Sequence, residues 1–224
     1  MDRLVAKSPY SPITAREGKI MSDVRLIEER VLRTKAPSMF RPDVHESMSQ
    51  PPTADHIQAL SDSNSLYRLR YVSETKTDDL SHLTFMTHLA GAYLDLADGL
   101  AVWDSALGKL YSPSEFRTYL ENHRDLEEFA SQVRISWQNE AEGGTARTHG
   151  LQKIGVYEIT TAPAPTDQEV LVTSILEMVA QKFWKQGFHE PQLRLETDYG
   201  PFVVQLENSS RFHHTARIFR ESQP

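Results

Sequence analysis

Cysteine is missing from all 224 residues. That removes disulfides, thiolate nucleophiles and cysteine-ligated zinc or iron–sulfur centres from consideration. No run of about 18 apolar residues occurs, so no segment reads as a membrane-spanning helix. Residues 1–30 are broken by charge and proline and carry no apolar centre of a secretory signal. The expectation is a soluble, cytoplasmic chain. Chemistry-bearing motifs are equally sparse. No G-x-S-x-G elbow is present, and His82 and His88 lie six apart, where a zinc helix needs four. No metal site and no cofactor are expected.

Basic charge runs short after the beginning of the chain. Residues 1–50 hold 9 Lys/Arg and 7 Asp/Glu, and the remainder holds 15 and 24. An acidic domain repels phosphate backbones, so nucleic-acid binding is not expected of it. Solubility alone accounts for such charge; beyond that, it favours a protein partner with a basic surface. The oligomeric state is left open.

What the chain does have is a change of texture near residue 62. Pro9, Pro12, Pro37, Pro42, Pro51 and Pro52, half of the 12 prolines, precede it. The reading is a flexible arm and linker over residues 1–62, followed by one compact α+β domain over 63–224. Within the arm, Ser22 would cap a short amphipathic helix over 23–33, with Val24, Ile27, Val31 and Leu32 on one face.

In the domain, residues 66–73 alternate as a strand and 78–97 keep helical spacing to a stop at Asp98-Gly99. Residues 100–103 and 109–111 suggest a hairpin. Ser112-Pro113-Ser114-Glu115 spells a capping box, and Thr166-Asp167-Gln168-Glu169 repeats it before a helix striped by Leu171, Ile175, Met178, Val179 and Phe183. Residues 133–137, 154–160, 193–195 and 202–206 read as strands, with 211–219 as an added edge. This order predicts a single mixed or antiparallel sheet with about three helices, mainly on one face.

The succession Gly99-Leu-Ala-Val-Trp103, Leu110-Tyr-Ser-Pro-Ser-Glu-Phe116, Trp137 and Thr148-His-Gly-Leu-Gln-Lys-Ile-Gly155, with Glu158, resembles the bacterial 4261-type domain of unknown function. The resemblance covers about residues 65–190; Ile154 stands where that pattern would carry an aromatic. It implies a small α+β domain of bacterial cytosolic proteins and brings no activity with it.

Candidate binding residues are Thr148, His149, Lys153, Glu158 and Trp184. Two glycines, Gly150 and Gly155, bracket a strand start there and admit close backbone approach by a ligand or partner. The competing explanation is a bulge and tight sheet packing, with Thr148 on an edge strand. Gly143-Gly144-Thr145 joins two strands and so lacks the helix start of a phosphate cradle. Phe183 and Trp184 are adjacent on one helix and cannot both face inward, which leaves one ring for an interface. No catalytic residues stand out. The sequence favours a non-catalytic protein-interaction module, such as an immunity or adaptor protein. The rival readings are a small-molecule enzyme with a cleft near 148–158, using His149, Lys153 and Glu158, and a structural subunit of a larger assembly.

Overall fold

The computed structural model describes residues 4–6, 14–16, 19–21, 25–41, 52–72, 80–123, 125–141, 143–186, 192–210 and 213–220. Contacts divide the chain into two compact units, 1–131 and 132–224. The first unit carries strands β1 (Leu4–Ala6), β2 (Thr14–Arg16), β3 (Lys19–Met21) and β4 (Arg25–Leu32), helix α1 (Ala54–Asp62) and strand β5 (Ser65–Val72). Helix α2 (Ser81–Leu96), a hairpin of β6 (Val102–Asp104) and β7 (Lys109–Tyr111) and helix α3 (Pro113–Asn122) follow, and the four-residue α4 (Phe129–Gln132) spans the division.

Residues 25–32 form a strand, not the expected helix. β4 pairs antiparallel with β5 along its whole length, from Arg25 opposite Val72 to Leu32 opposite Ser65, with β1 on its other side. An isolated helix of that length is marginal in water, whereas β5 offers a full ladder of backbone partners. Cross-strand side chains add to it. Glu29 faces Arg68 and bridges it at 3.3 Å, and the Arg30 guanidinium lies 5.7 Å from the Tyr67 ring centre. Ser22, the expected cap, lies outside the described residues.

The segment after β4 is also engaged. Arg33 donates to the carbonyls of Leu60, Ser61 at 3.1 Å and Ser63 at 2.7 Å, while its guanidinium stacks on Phe40. These are the carbonyls that a helix end leaves without partners, and a cation suits the negative pole there. At the other end of α1, the Thr53 hydroxyl accepts from the His56 amide, and His56 Nδ1 accepts from the Thr53 amide at 3.2 Å. That assigns the proton to Nε2, which donates to Glu115 at 3.0 Å. Glu115 in turn closes the predicted capping box on Ser112. Its carboxyl is held below the usual range, first by the Ser112 amide and then by His56.

Leu94, Tyr111 and Phe116 centre the small core of α2, α3 and the hairpin. Gly91 permits this contact, because a Cβ there would sit 3.0 Å from Leu120.

The second unit holds β8 (Arg134–Glu140), β9 (Gly143–His149), β10 (Glu158–Thr161), helix α5 (Glu169–Gln186), β11 (Gln192–Thr197), β12 (Gly200–Ser210) and β13 (His213–Arg220). The six strands lie in the order β11-β12-β13-β10-β9-β8, antiparallel throughout except for the parallel pair of β10 and β13. Leu193, Leu195, Phe202, Val204 and Leu206 are buried on alternate positions, as their period of two requires. α5 covers that face with Val172, Ile175, Leu176, Val179, Ala180 and Phe183.

The molecule is therefore α+β as expected, but among the described residues it has this large mixed sheet and three smaller ones, with five α-helices. Other details differ as well. The returning strand is β9; residues 151–154 form a 3-10 turn, and β10 begins at Glu158. The Thr166 capping box does not form, since Pro165 takes the cap position without a side-chain bond. β13, expected at an edge, sits inside the sheet because β10 takes it as a parallel neighbour. Leu171 is half-buried and Met178 exposed; the inward stripe is shifted onto Val172, Leu176 and Ala180. Gly187 lies outside the described residues.

Candidate functional site

Thr148 and Glu158 come together. The Thr148 hydroxyl donates to Glu158 Oε2 at 2.8 Å, and Glu158 Oε1 accepts the amides of Gly150 at 2.8 Å and Gln152 at 3.2 Å. Thr148 Oγ1 also accepts the Ile159 amide at 2.8 Å. Both side chains are buried. Burial pushes the Glu158 carboxyl upward, against the opposing pull of Thr148 and the two amides. Gly150 has φ 108° and Gly155 φ 74°, left-handed values that only glycine adopts without strain, so the chain can fold its amides around the carboxylate. Thr148 is not at an edge, because β9 lies between β10 and β8.

The other candidates point elsewhere. His149 Nε2 meets Ser136 Oγ at 2.8 Å, and burial, with Arg147 and Arg134 nearby, pushes its imidazole down to about 4. It is neutral at neutral pH. Lys153 donates to Gln132 at 2.8 Å. Trp184 is half-buried beside the buried Phe183. Chemically, the Thr148 and Glu158 arrangement closes a turn between β9 and β10.

Gly143 and Gly144 admit a backbone, not a phosphate. Gly144 and Ala164 exchange amide and carbonyl bonds at 2.9 Å each, and a Cβ on Gly143 would lie 2.3 Å from the Ala164 carbonyl. On its other side, Gly144 carries the Trp137 indole, 2.4 Å from an ideal Cβ.

In the first unit, exposed apolar side chains gather at residues 95–104. Leu96 is 87% exposed, and Leu100 and Trp103 are exposed with it. α2 ends here in a Schellman turn, with the Gly99 amide on the Leu94 carbonyl at 2.8 Å. Glycine normally fills the left-handed position of that turn; here Asp98 does, at φ 46°. Asp95 and Asp98 thus place acid at the negative end of the helix, where the backbone disfavours it. Asp95 meets Arg117 at 2.8 Å in the open, and Asp104 ties down the amides of Ala106 and Leu107. Residues 80–131 hold 8 Asp/Glu and 3 Lys/Arg, against 11 and 9 in residues 132–224. In sequence Asp98-Gly99 marks a helix stop; aspartate in the place of glycine, beside leucines that the helix cannot bury, is the further signal it carries.

No helix among the described residues is long and apolar enough to cross a membrane. Comparison with family models, with curated proteins and with solved structures gave no match.

Proposed function

We propose that the chain is a non-catalytic protein-interaction module, of the immunity or adaptor kind, that receives a basic segment with an apolar face on residues 95–104. The carrying observation is the pairing of Leu96, almost wholly exposed, with Asp98 held in a left-handed conformation at an acidic helix end. Each feature costs stability locally, and a partner offering apolar surface and cations offsets both. Exposed apolar groups beside acidic charge suit such recognition, with charge setting orientation and rate. A bacterial cytoplasmic setting and the likeness to the 4261-type domain belong to the same proposal.

The arrangement around Thr148 gives less support to an enzyme. Glu158 is committed to three donors, and His149 and Lys153 have separate partners. Affinity capture with the wild-type chain and with Leu96→Ser and Asp98→Asn variants, at low and high salt, tests the proposal. A purified partner that rebinds wild type, weakens with salt and loses both variants supports it. A partner indifferent to salt and to both substitutions sinks it.

A further inference from the structure

The second unit contains a cleft of about 390 Å³ that the surface of residues 95–104 does not involve. Leu171, Val172 and Ile175 of α5 form one wall, and Phe202, Ala216 and Ile218 of the sheet form the other. Residues 162–164 close it, held against β9 by the Gly144 and Ala164 backbone pair. The volume falls in the range of small-molecule sites, about 300–1,000 Å³. Thr161, Gln168 and Tyr199 also line it, but apolar surface predominates, so a ligand gains by burying hydrocarbon there.

Among the described residues that line the cleft, Arg220 is the one charged side chain and none is acidic. Its Nη2 donates to the Tyr199 carbonyl at 2.9 Å, which anchors the guanidinium beside the turn between β11 and β12. That bond uses one of five N–H donors, and the planar fork suits a carboxylate. A polyanion fits poorly, because a single cation would leave further charge against apolar walls. We propose that the cleft binds a monocarboxylate with an apolar body, of the size of a medium-chain fatty acid, its carboxylate on Arg220 and its chain between α5 and the sheet.

Calorimetric titration of the full chain with decanoate below its micellar concentration, beside decanol as the uncharged twin, provides the test. Decanoate is expected to saturate one site roughly threefold to fivefold more tightly than decanol, since Arg220 is exposed and water screens the contact. Arg220→Met brings decanoate to the level of decanol. Leu171→Trp fills the cleft from a half-buried position and removes both ligands. Absence of saturable decanoate binding, equal affinity for the two ligands in wild type, or decanoate affinity unchanged in Leu171→Trp would each overturn the proposal. Leu96→Ser leaves decanoate binding intact, so this site and the protein-binding surface stand or fall separately.

Discussion

The Thr148 hydroxyl lies 2.8 Å from Glu158 Oε2, and the pair ties the end of β9 to the start of β10 across a turn built on left-handed glycines. Removing the carboxylate leaves the buried Gly150 amide and the partly buried Gln152 amide without an acceptor. Glu158→Ala is therefore expected to lower the stability of the second unit by about 2–4 kcal/mol. Glu158→Gln retains one carbonyl oxygen and costs less. Urea unfolding of the three chains checks the order, and equal midpoints for Ala and wild type would show that the turn holds without the carboxylate.

Glu158 and His149 give stability opposite dependences on pH. Burial raises the folded pKa of Glu158 above its ordinary 4.5, so its contribution is full below that value and lost as pH rises through the folded pKa. Burial and two arginines lower His149 from 6.5 to about 4, so its contribution is full above 6.5 and lost as pH falls through 4. The histidine shift corresponds to about 3 kcal/mol at most. As pH rises above 4.5, Glu158→Gln should steepen the gain of stability, and between pH 4 and 6.5 His149→Asn should flatten or reverse it. Thermal melts at half-unit pH steps read both slopes. Parallel profiles for the two variants would contradict the assignment.

Asp98 at φ 46° occupies the position that glycine fills best, and its charge faces the negative end of α2. Asp98→Gly relieves both conflicts and should stabilise the first unit by roughly 0.5–1 kcal/mol. The same substitution is expected to weaken partner binding, the usual exchange of stability for function at a contact surface. Denaturant midpoints and binding to the purified partner are the paired measurements. A destabilised variant would mean that the aspartate side chain contributes more locally than its backbone costs.

Legibility followed the range of the interactions. The Ser112 box, the period-two burial of Leu193 to Leu206 and the Asp98-Gly99 stop rest on neighbours a few residues apart, and sequence exposes them. β4 is illegible in sequence because Ile27 and Val31 suit either period in so short a run, and its partner β5 lies far along the chain. β13 looked like an edge because nothing in its own residues announces the parallel strand β10 beside it. In the candidate site, the glycines around Thr148 were visible, but their purpose was not. Glu158 as the internal acceptor, and Ala164 as the backbone received by Gly144, are relationships of place and not of spacing.

Arg33 shows the same point in a testable form. A cation in a proline-broken segment reads as solvated, yet it donates to Leu60, Ser61 and Ser63 at the end of α1. Arg33→Ala should cost the first unit about 1–3 kcal/mol, since charge-assisted bonds to helix-end carbonyls are lost together. Arg33→Lys restores only part of this, because an ammonium lacks the planar fork. Hydrogen exchange on α1 discriminates between the outcomes: faster exchange confined to residues 54–62 fits a lost cap, whereas unchanged protection would mean the helix end is held by its packing alone.

Gly144 carries the last prediction. An ideal Cβ there would lie 2.4 Å from Trp137 Cε2 and Cζ2 and 2.6 Å from its Nε1. Contacts so short force the indole to move, breaking its 2.9 Å bond to Asn139. Gly144→Ala is expected to destabilise the second unit by about 1–3 kcal/mol and to change the emission of Trp137. Because Gly144 also holds Ala164 against β9, the shift should reach the decanoate cleft and weaken ligand binding there. Trp137→Phe, which removes the reporter, provides the control for fluorescence. An alanine variant with wild-type stability and emission would show that the indole relaxes without cost, and that the glycine serves only the approach of Ala164.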